Sequence, residues 1–378
     1  MEPDAVTPIR PQSKSPNLTF NGGMFNPLFI GKSRRWIIFW LVLIGSRLQG
    51  ESWVDGWRSA NPNWRGVHVI TRTPSDVLKL VGVVPQLAMN GMNVLIVEVD
   101  YNFAFTSHPE LRESTVITRV ETDRLTDVCH RNGVRLIPQF NCLGHQSWST
   151  QTFSLLRVHP EFDETPGLYP RNEGIYCRSW CPQNPAVGPV VFALMDEIAD
   201  AFQADAMHIG MDEVFLIASD SCPRCRGQDP GLLFAKSITE MHRHLVREKR
   251  LDLLMWADRL LDSKTMGYGE WESATNGTSS AVGKIPKDIL LCDWHYETLD
   301  KYQGHPSHYA SISYLTGQGF RVWPTGWKTP AAIEAFNREA LAQRTNGVLG
   351  YLCSTWGAVS IGDLPAWPPL TKGFEPWK

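Results

Sequence analysis

From Arg65 onward the chain repeats one unit: a short apolar, β-rich run followed by a longer stretch of helical period. The apolar runs are Val67–Ile70, Val94–Val99, Arg135–Phe140, Ala206–Gly210, Leu253–Trp256, Ile289–Cys292, Phe320–Trp323 and Val348–Leu352. Between them, helix-period patterns cover Pro74–Met89, Glu121–Arg131, Val187–Phe202, Leu232–Arg247 and Pro330–Arg344. Strand, helix, strand in repetition gives parallel strands, because a right-handed crossover packs a helix back onto the sheet. Eight such strands predict an α/β fold of the (β/α)8 TIM-barrel kind, which needs about 250 residues. A doubly wound sheet is the alternative, but eight units fit closure better. Helical patterning thins after the fifth strand and little chain follows the eighth, so the last helix is expected to be incomplete.

The bulk composition fits a globular protein and narrows its partners. Of 378 residues, 43% are hydrophobic and 20% charged, and the net charge is −3. No Lys/Arg stripe suits a phosphate backbone, so nucleic acid is not an expected partner. Fifteen tryptophans stand out, and flat apolar faces suit the C–H surfaces of sugar rings. Most of them are nonetheless expected in the core, where large aromatic side chains usually go.

Residues 1–50 read differently from 51–378. Lys32, Arg34 and Arg35 precede an apolar run, Trp36–Ile44, and then small residues, Gly45, Ser46 and Gly50. Basic, apolar, small is the pattern of an export signal. The run is too short for a mature span, which takes about 20 residues, so no stable membrane span is expected. The division is therefore an N-terminal extension with a signal segment, 1–50, and one barrel domain, 51–378. A retained anchor is the alternative to cleavage and export.

Eight cysteines agree with export. Cys177 and Cys181 form one close pair, Cys222 and Cys225 (CPRC) another. In an oxidising compartment disulfides come first for these four and an all-cysteine zinc site second, with unpaired thiols the third reading. Cys129, Cys142, Cys292 and Cys353 lie in or beside apolar patterns and read as small buried hydrophobes.

Barrels of this kind keep their chemistry at the C-terminal ends of the strands. Asp100 follows VLIVEV, and Asn141, Gly144 and His145 follow LIPQF. Asp212 and Glu213 follow MHIG, and Trp256 and Asp258 end LLMWAD. Trp294, His295 and Tyr296 follow ILLCD, Trp323 follows RV and Trp356 follows YLCST. Acids, histidines and aromatics thus gather at one rim, which reads as an aromatic-walled acidic pocket. Adjacent carboxylates such as Asp212 and Glu213, with pKa values pushed apart, are common equipment for cleaving glycosidic bonds.

These residues resemble glycoside hydrolase family 20, the β-N-acetylhexosaminidases. His208-Ile209-Gly210-Met211-Asp212-Glu213 is similar to that family's His-x-Gly-Gly-Asp-Glu signature, with Met211 where a glycine is usual. Arg65-Gly66 looks like the family's Arg-Gly, and Pro138–His145 resembles its third-strand segment ending in Gly-His. VEVDYNFAF, DEVF and Asp293–Glu297 (DWHYE) are similar to the hexosaminidase D-like branch.

The resemblance implies substrate-assisted hydrolysis with retention, releasing terminal GlcNAc or GalNAc from glycans through an oxazolinium intermediate, with no metal or organic cofactor. Glu213 would be the acid/base and Asp212 would orient the acetamido N–H. His145 and Asp100 would form a relay behind the acid. Tyr296 would bond the acetamido oxygen, Trp256, Trp294 and Trp356 would box the sugar, and Arg65 and Asp258 would hold hydroxyls. The bland rivals are a surface ion pair for Arg65, a structural histidine at 145, a helix cap at Asp258, and pocket wall or core for Trp323. His295, beside Tyr296, competes for the inward position. Gly357-Ala358 stands where an acid often follows the last-strand tryptophan. Two other readings stay open: a two-carboxylate glycosidase with Asp100 or Asp258 as nucleophile, and a carbohydrate-binding barrel without turnover. The natural glycan and the oligomeric state are not legible.

Overall fold

The computed structural model describes residues 52–378, and the N-terminal stretch on which the expected export signal falls lies outside them. Eight parallel strands close into a barrel: β1 (Trp64–Ile70), β2 (Val94–Glu98), β3 (Arg135–Cys142), β4 (Ala206–Gly210), β5 (Asp252–Trp256), β6 (Leu290–Trp294), β7 (Arg321–Gly326) and β8 (Gly350–Ser354). Each strand pairs with the next in this order, and β8 pairs with β1. The (β/α)8 expectation therefore holds, with the strand ends displaced by at most a few residues.

Alternation along each strand sorts side chains between two cores. Val67, Val69, Leu95 and Val97 point outward into the layer beneath the helices. Trp64, Val94, Ile96, Ile137, Leu254, Trp256, Trp323 and Leu352 fill the barrel itself. Trp323, one of the undecided tryptophans, is fully buried and edge-on to Trp64 at 5.3 Å. It is core. Gly66 exists to admit it, since a Cβ there would lie 2.3 Å from the Trp323 ring.

The helices begin where the sequence places caps. Thr73 and Asp76 form a capping box at α2 (Pro74–Met89), as do Thr118 and Glu121 at α3 (Arg119–Arg131). Before them lies α1 (Trp53–Ala60), and after them α4 (Val187–Ala201), α5 (Pro230–His242), α6 (Ala310–Gly317) and α7 (Pro330–Ala342). The α5 pattern ends at His242 and continues as a π turn, Arg243–Glu248. Between β5 and β6 the connection is mostly 3-10 turns, and the closing helix α8 (Pro368–Phe374) is short. Among the described residues no helix is long and apolar enough to cross a membrane.

The N-terminal mouth is plugged. Arg135 starts β3 fully buried, bonded to Asp205 at 2.8 Å and Asp252 at 2.7 Å. Its guanidinium lies over Trp57 of α1 and over Trp64, at 5.6 and 5.2 Å. Two carboxylates and two aromatic faces make this buried cation tolerable. The C-terminal mouth is left to the loops.

Candidate active site

The signature strand ends in a tight reversal. Gly210, Met211 and Glu213 all have positive φ (65°, 72° and 49°), a region that L side chains enter at a cost of roughly 1–2 kcal/mol each. Gly210 is required twice over, because a Cβ there would also lie 2.3 Å from Asn141 Oδ1. At Met211 the same φ explains why glycine suits the position; the methionine side chain packs into the outer core, away from the barrel interior. The pairing of β3 with β4 shifts register between Gln139 and Cys142. Such an irregularity re-aims side chains at a strand end, and here it adjoins His145 and Asp212.

His145 stands between the two carboxylates. Its Nε2 lies 3.2 Å from Asp212 Oδ2 and 3.2 Å from Glu213 Oε2. These are close ion pairs rather than well-aligned hydrogen bonds, since neither contact satisfies hydrogen-bond geometry. Burial alone would lower the imidazole pKa. The Asp212 charge, with the closeness of both the Asp212 and Glu213 carboxylates, overcomes it and holds His145 well above its ordinary value. A cationic imidazole therefore bridges the acid pair at neutral pH.

Asp100 does not join this bridge. Its Oδ1 accepts the Asn141 N–H at 2.8 Å, and its Oδ2 takes the Asn141 side-chain amide and Arg72, each at 3.2 Å. The relay expected from sequence is thus corrected: the partner of Asp100 is Arg72. Glu98 shares that guanidinium at 3.0 Å and lies 3.3 Å from His68. Against burial, His68 and Arg72 hold Glu98 down at about 2, whereas burial and the Glu98 charge push Asp100 up to about 7.

Arg65 is a second correction. It lies at the start of β1, where its guanidinium donates to the backbone carbonyls of Gly91 (2.5 Å), Trp377 (3.0 Å) and Asn63 (3.3 Å). That is the mouth opposite Asp212 and Glu213. The arginine at the correct end of the strand is Arg72, half-buried just past Ile70. Sequence reasoning missed it, although the strand-end rule applied to the other strands points to it.

Asp258 lies beneath the acid. Its Oδ2 accepts the Glu213 backbone N–H at 2.9 Å and pairs with Arg259 at 2.7 Å, and its Oδ1 accepts Trp294 Nε1 at 3.3 Å. Burial, then the Asp212 charge, push it up to about 6 against the pull of Arg259. Buried and engaged in this way, it positions Glu213 and Trp294 from beneath the site.

Aromatics from the later strands form one wall. Tyr296 stacks on Trp294 with centroids 4.8 Å apart, and its hydroxyl accepts the Trp356 indole N–H at 2.6 Å. His295 points the other way, into a buried group with Glu272 (2.6 Å) and Ser311 (2.9 Å). Trp256 lies deeper and is fully buried between His68 and His208, with Trp356 5.6 Å away. Trp327, unremarked in the sequence, lies 5.5 Å from Tyr296.

A second aromatic group, also unread from sequence, stands beside Glu213. Tyr176 from the loop after β3 faces Glu213 and meets His145, Trp148, Phe215 and Trp271 edge-on at 6.0, 5.2, 5.8 and 4.9 Å. Trp148 and Trp271 are 53% and 47% exposed, an unusual state for two neighbouring indoles. No sequence period could reveal the group, because it draws on three separate loops.

Residues 63–361 match the family described as Glycosyl hydrolase family 20, catalytic domain. The chain belongs to glycosyl hydrolase family 20. A β-hexosaminidase of Akkermansia muciniphila is 28% identical over 112 residues, 29% of this chain and 22% of that protein. Among solved structures, the Flavobacterium johnsoniae family 20 chitobiase superposes with a TM-score of 0.60 at 18% identity, over 82% of this chain and 47% of that one. The Vibrio harveyi family 20 exo-β-N-acetylglucosaminidase, solved with N-acetylglucosamine, gives 0.58 at 16% identity, over 83% and 54%. This chain spans about half the length of those two solved relatives, and the likeness establishes the shared barrel.

Cys129, Cys142, Cys292 and Cys353 are buried as expected, whereas the disulfides placed first for the loop cysteines are not formed. All eight cysteines are free. Cys177 and Cys181 diverge: Cys177 Sγ approaches the Glu213 carbonyl at 3.6 Å, while Cys181 Sγ lies 3.4 Å from both Cys222 and Cys225. Those separations are far beyond the S–S bond of about 2.05 Å.

Proposed function

We propose that this family 20 member is an exo-acting β-N-acetylhexosaminidase that releases terminal GlcNAc or GalNAc with retention. The observation that carries the reading is the bridge of His145 between Asp212 and Glu213, set against the wall of Trp294, Tyr296 and Trp356. Glu213 protonates the leaving oxygen and later deprotonates water. Asp212 orients the 2-acetamido N–H and balances the charge that develops as the acetamido oxygen attacks the anomeric carbon. An intramolecular nucleophile is efficient, since well-oriented cases reach effective molarities of about 10⁵–10⁸ M, and the protein then needs no nucleophile of its own.

Tyr296 supports this role. Donation from Trp356 and from Ser354 fixes its hydroxyl and leaves the phenolic proton for an acetamido oxygen. Arg72, with Glu98 and Asp100 behind it, takes the outer hydroxyls assigned to Arg65 from sequence. Trp148, Tyr176 and Trp271 form a platform on the leaving-group side of Glu213. The two-carboxylate alternative fits less well, because Asp100 and Asp258 both have their oxygens engaged. Similarity to the hexosaminidase D-like branch and export through the Lys32–Gly50 segment belong to the same proposal. N-terminal sequencing of the mature protein tests export.

The test of activity is release of p-nitrophenol from the β-GlcNAc and β-GalNAc glycosides, with the anomer of the released sugar read by NMR. Turnover with a β-configured first product supports the reading. Binding of GlcNAc without turnover on either glycoside would replace it with a binding-only barrel.

A further inference from the structure

Three thiols and a carboxylate converge where the loop after β3 meets the loop after β4. The ligand atoms of Glu164, Cys181, Cys222 and Cys225 all lie within 4.8 Å of one another. All four residues are 0% exposed. Glu164 Oε1 accepts the Ser219 N–H at 2.9 Å. Its Oε2 has no hydrogen-bond partner, and the carboxylate lies beside the thiols of Cys222 and Cys225. A buried carboxylate oxygen left without a donor is unfavourable, so the group lacks a positive centre.

We propose that Glu164, Cys181, Cys222 and Cys225 hold a structural zinc ion. Zinc–sulfur bonds of about 2.3 Å place tetrahedral ligands about 3.8 Å apart. The two 3.4 Å separations around Cys181 need to open only slightly to reach that. A disulfide would need two sulfurs to close by more than about 1 Å, and any such pair would strand the third thiol beside Glu164. Cys222-Pro-Arg-Cys225 has the short spacing of a zinc-binding turn. Soft thiolates select zinc over magnesium or calcium, and one hard carboxylate among them suits zinc better than copper(I).

Backbone amides and one positive side chain face two of the three sulfurs. The Gln183 amide faces the Cys181 sulfur, the amides of Arg224 and Cys225 face that of Cys222, and the Arg224 side chain adds positive charge near Cys181. Such donors orient and support metal-bound thiolates. Zinc binding displaces the three thiol protons, with Glu164 binding as carboxylate. Four protein ligands leave no open position, so the ion would be structural. It would tie the loop carrying His145 and Tyr176 to the loop that begins with Asp212 and Glu213.

The test is metal content of the full chain, purified under reducing conditions without chelator. About one zinc per chain is expected, lost in Cys222→Ser and in Cys181→Ser, reduced in Glu164→Gln, and retained in Cys177→Ala. Cobalt(II) should replace zinc and give thiolate-to-cobalt charge-transfer bands with tetrahedral d–d absorption. Should the serine variants fail to fold, the wild-type metal count and cobalt spectrum still decide. No zinc in the wild type even after titration, a disulfide among these three cysteines by non-reducing peptide mapping, or loss of zinc in Cys177→Ala would overturn the proposal. Because the readout is metal, it stands or falls independently of glycosidase activity.

Discussion

At the N-terminal mouth of the barrel, buried charge is largely met: Arg135 has Asp205, Asp252 and two tryptophan faces, with its Nη1 alone unbonded, and Arg65 is bonded to three backbone carbonyls. At the C-terminal mouth the reverse holds. Asp212 Oδ1 and Trp256 Nε1 are buried without hydrogen-bond partners. Asp100, His145, Met211, Glu213 and Trp356 all carry positive φ, and Asp100, His145 and Asp258 have raised pKa values. Strain and unmet hydrogen-bonding capacity collect where a ligand could satisfy them, while the other end is built for stability. The difference is that between a plug and a site.

The sharpest contrast comes from one substitution at each end. Glu213→Gln should lower kcat by roughly 10³-fold, about 4 kcal/mol, while leaving the urea midpoint nearly unchanged. Arg135→Met should do the opposite. It strands Asp205 and leaves Asp252 with Arg58 alone, and should cost about 3 kcal/mol of stability with the specific activity of the folded protein preserved. A large loss of activity in the Arg135 variant at full folding would break the division.

The two arginines of β1 sharpen it further. Arg72→Gln should cut kcat/KM by about 10- to 100-fold, in line with losing charge-assisted hydrogen bonds worth about 1.5–3 kcal/mol. Arg65→Gln should leave kcat/KM within about twofold.

Met211→Gly sets relief of left-handed strain, about 1–2 kcal/mol, against loss of a buried methionine, typically 2–5 kcal/mol. Burial wins, so denaturation should show net destabilisation of about 1–3 kcal/mol. Because the side chain packs in the outer core, kcat should change only a few-fold.

The smallest effect is on pH dependence. His145 is raised in the folded state by Asp212, so its contribution to stability is fully present below its unfolded pKa of about 6.5. It is lost as pH rises through the higher folded value. Stability lost in Asp212→Asn should therefore be greatest below about pH 6.5 and shrink in alkali. The imidazole resonances of His145 should titrate at lower pH in that variant than in the wild type.

Much of the fold was legible because barrel strands are buried on both faces and leave apolar runs that periodic helices interrupt. The strand-end rule also brought Asp212, Glu213, His145, Tyr296 and Trp356 to one mouth. The roles of Arg65 and of an Asp100–His145 relay rest on the resemblance and not on that rule. Arg65 precedes the apolar run of β1, which already puts it at the far end, whereas Arg72 follows that run. For Asp100, sequence gives no view of side-chain direction across the register shift that follows β3 residue Gln139. Cys177 and Cys181 look alike in sequence, yet one turns to the Glu213 loop and the other to Glu164 and the CPRC turn. Contacts of that kind arise from loop paths and leave no period to read.

The central claim is that the substrate's acetamido group, oriented by Asp212, supplies the nucleophile at the C-terminal mouth. The most direct measurement compares wild-type turnover of p-nitrophenyl β-GlcNAc with that of the β-glucoside, alongside inhibition by GlcNAc-thiazoline. Turnover confined to the acetamido sugar, with the thiazoline binding at least about 10²-fold more tightly than substrate, is the result predicted. Equal turnover of the glucoside, or a glycosyl adduct trapped on Asp100 or Asp258 by a 2-fluoro glycoside, would contradict it.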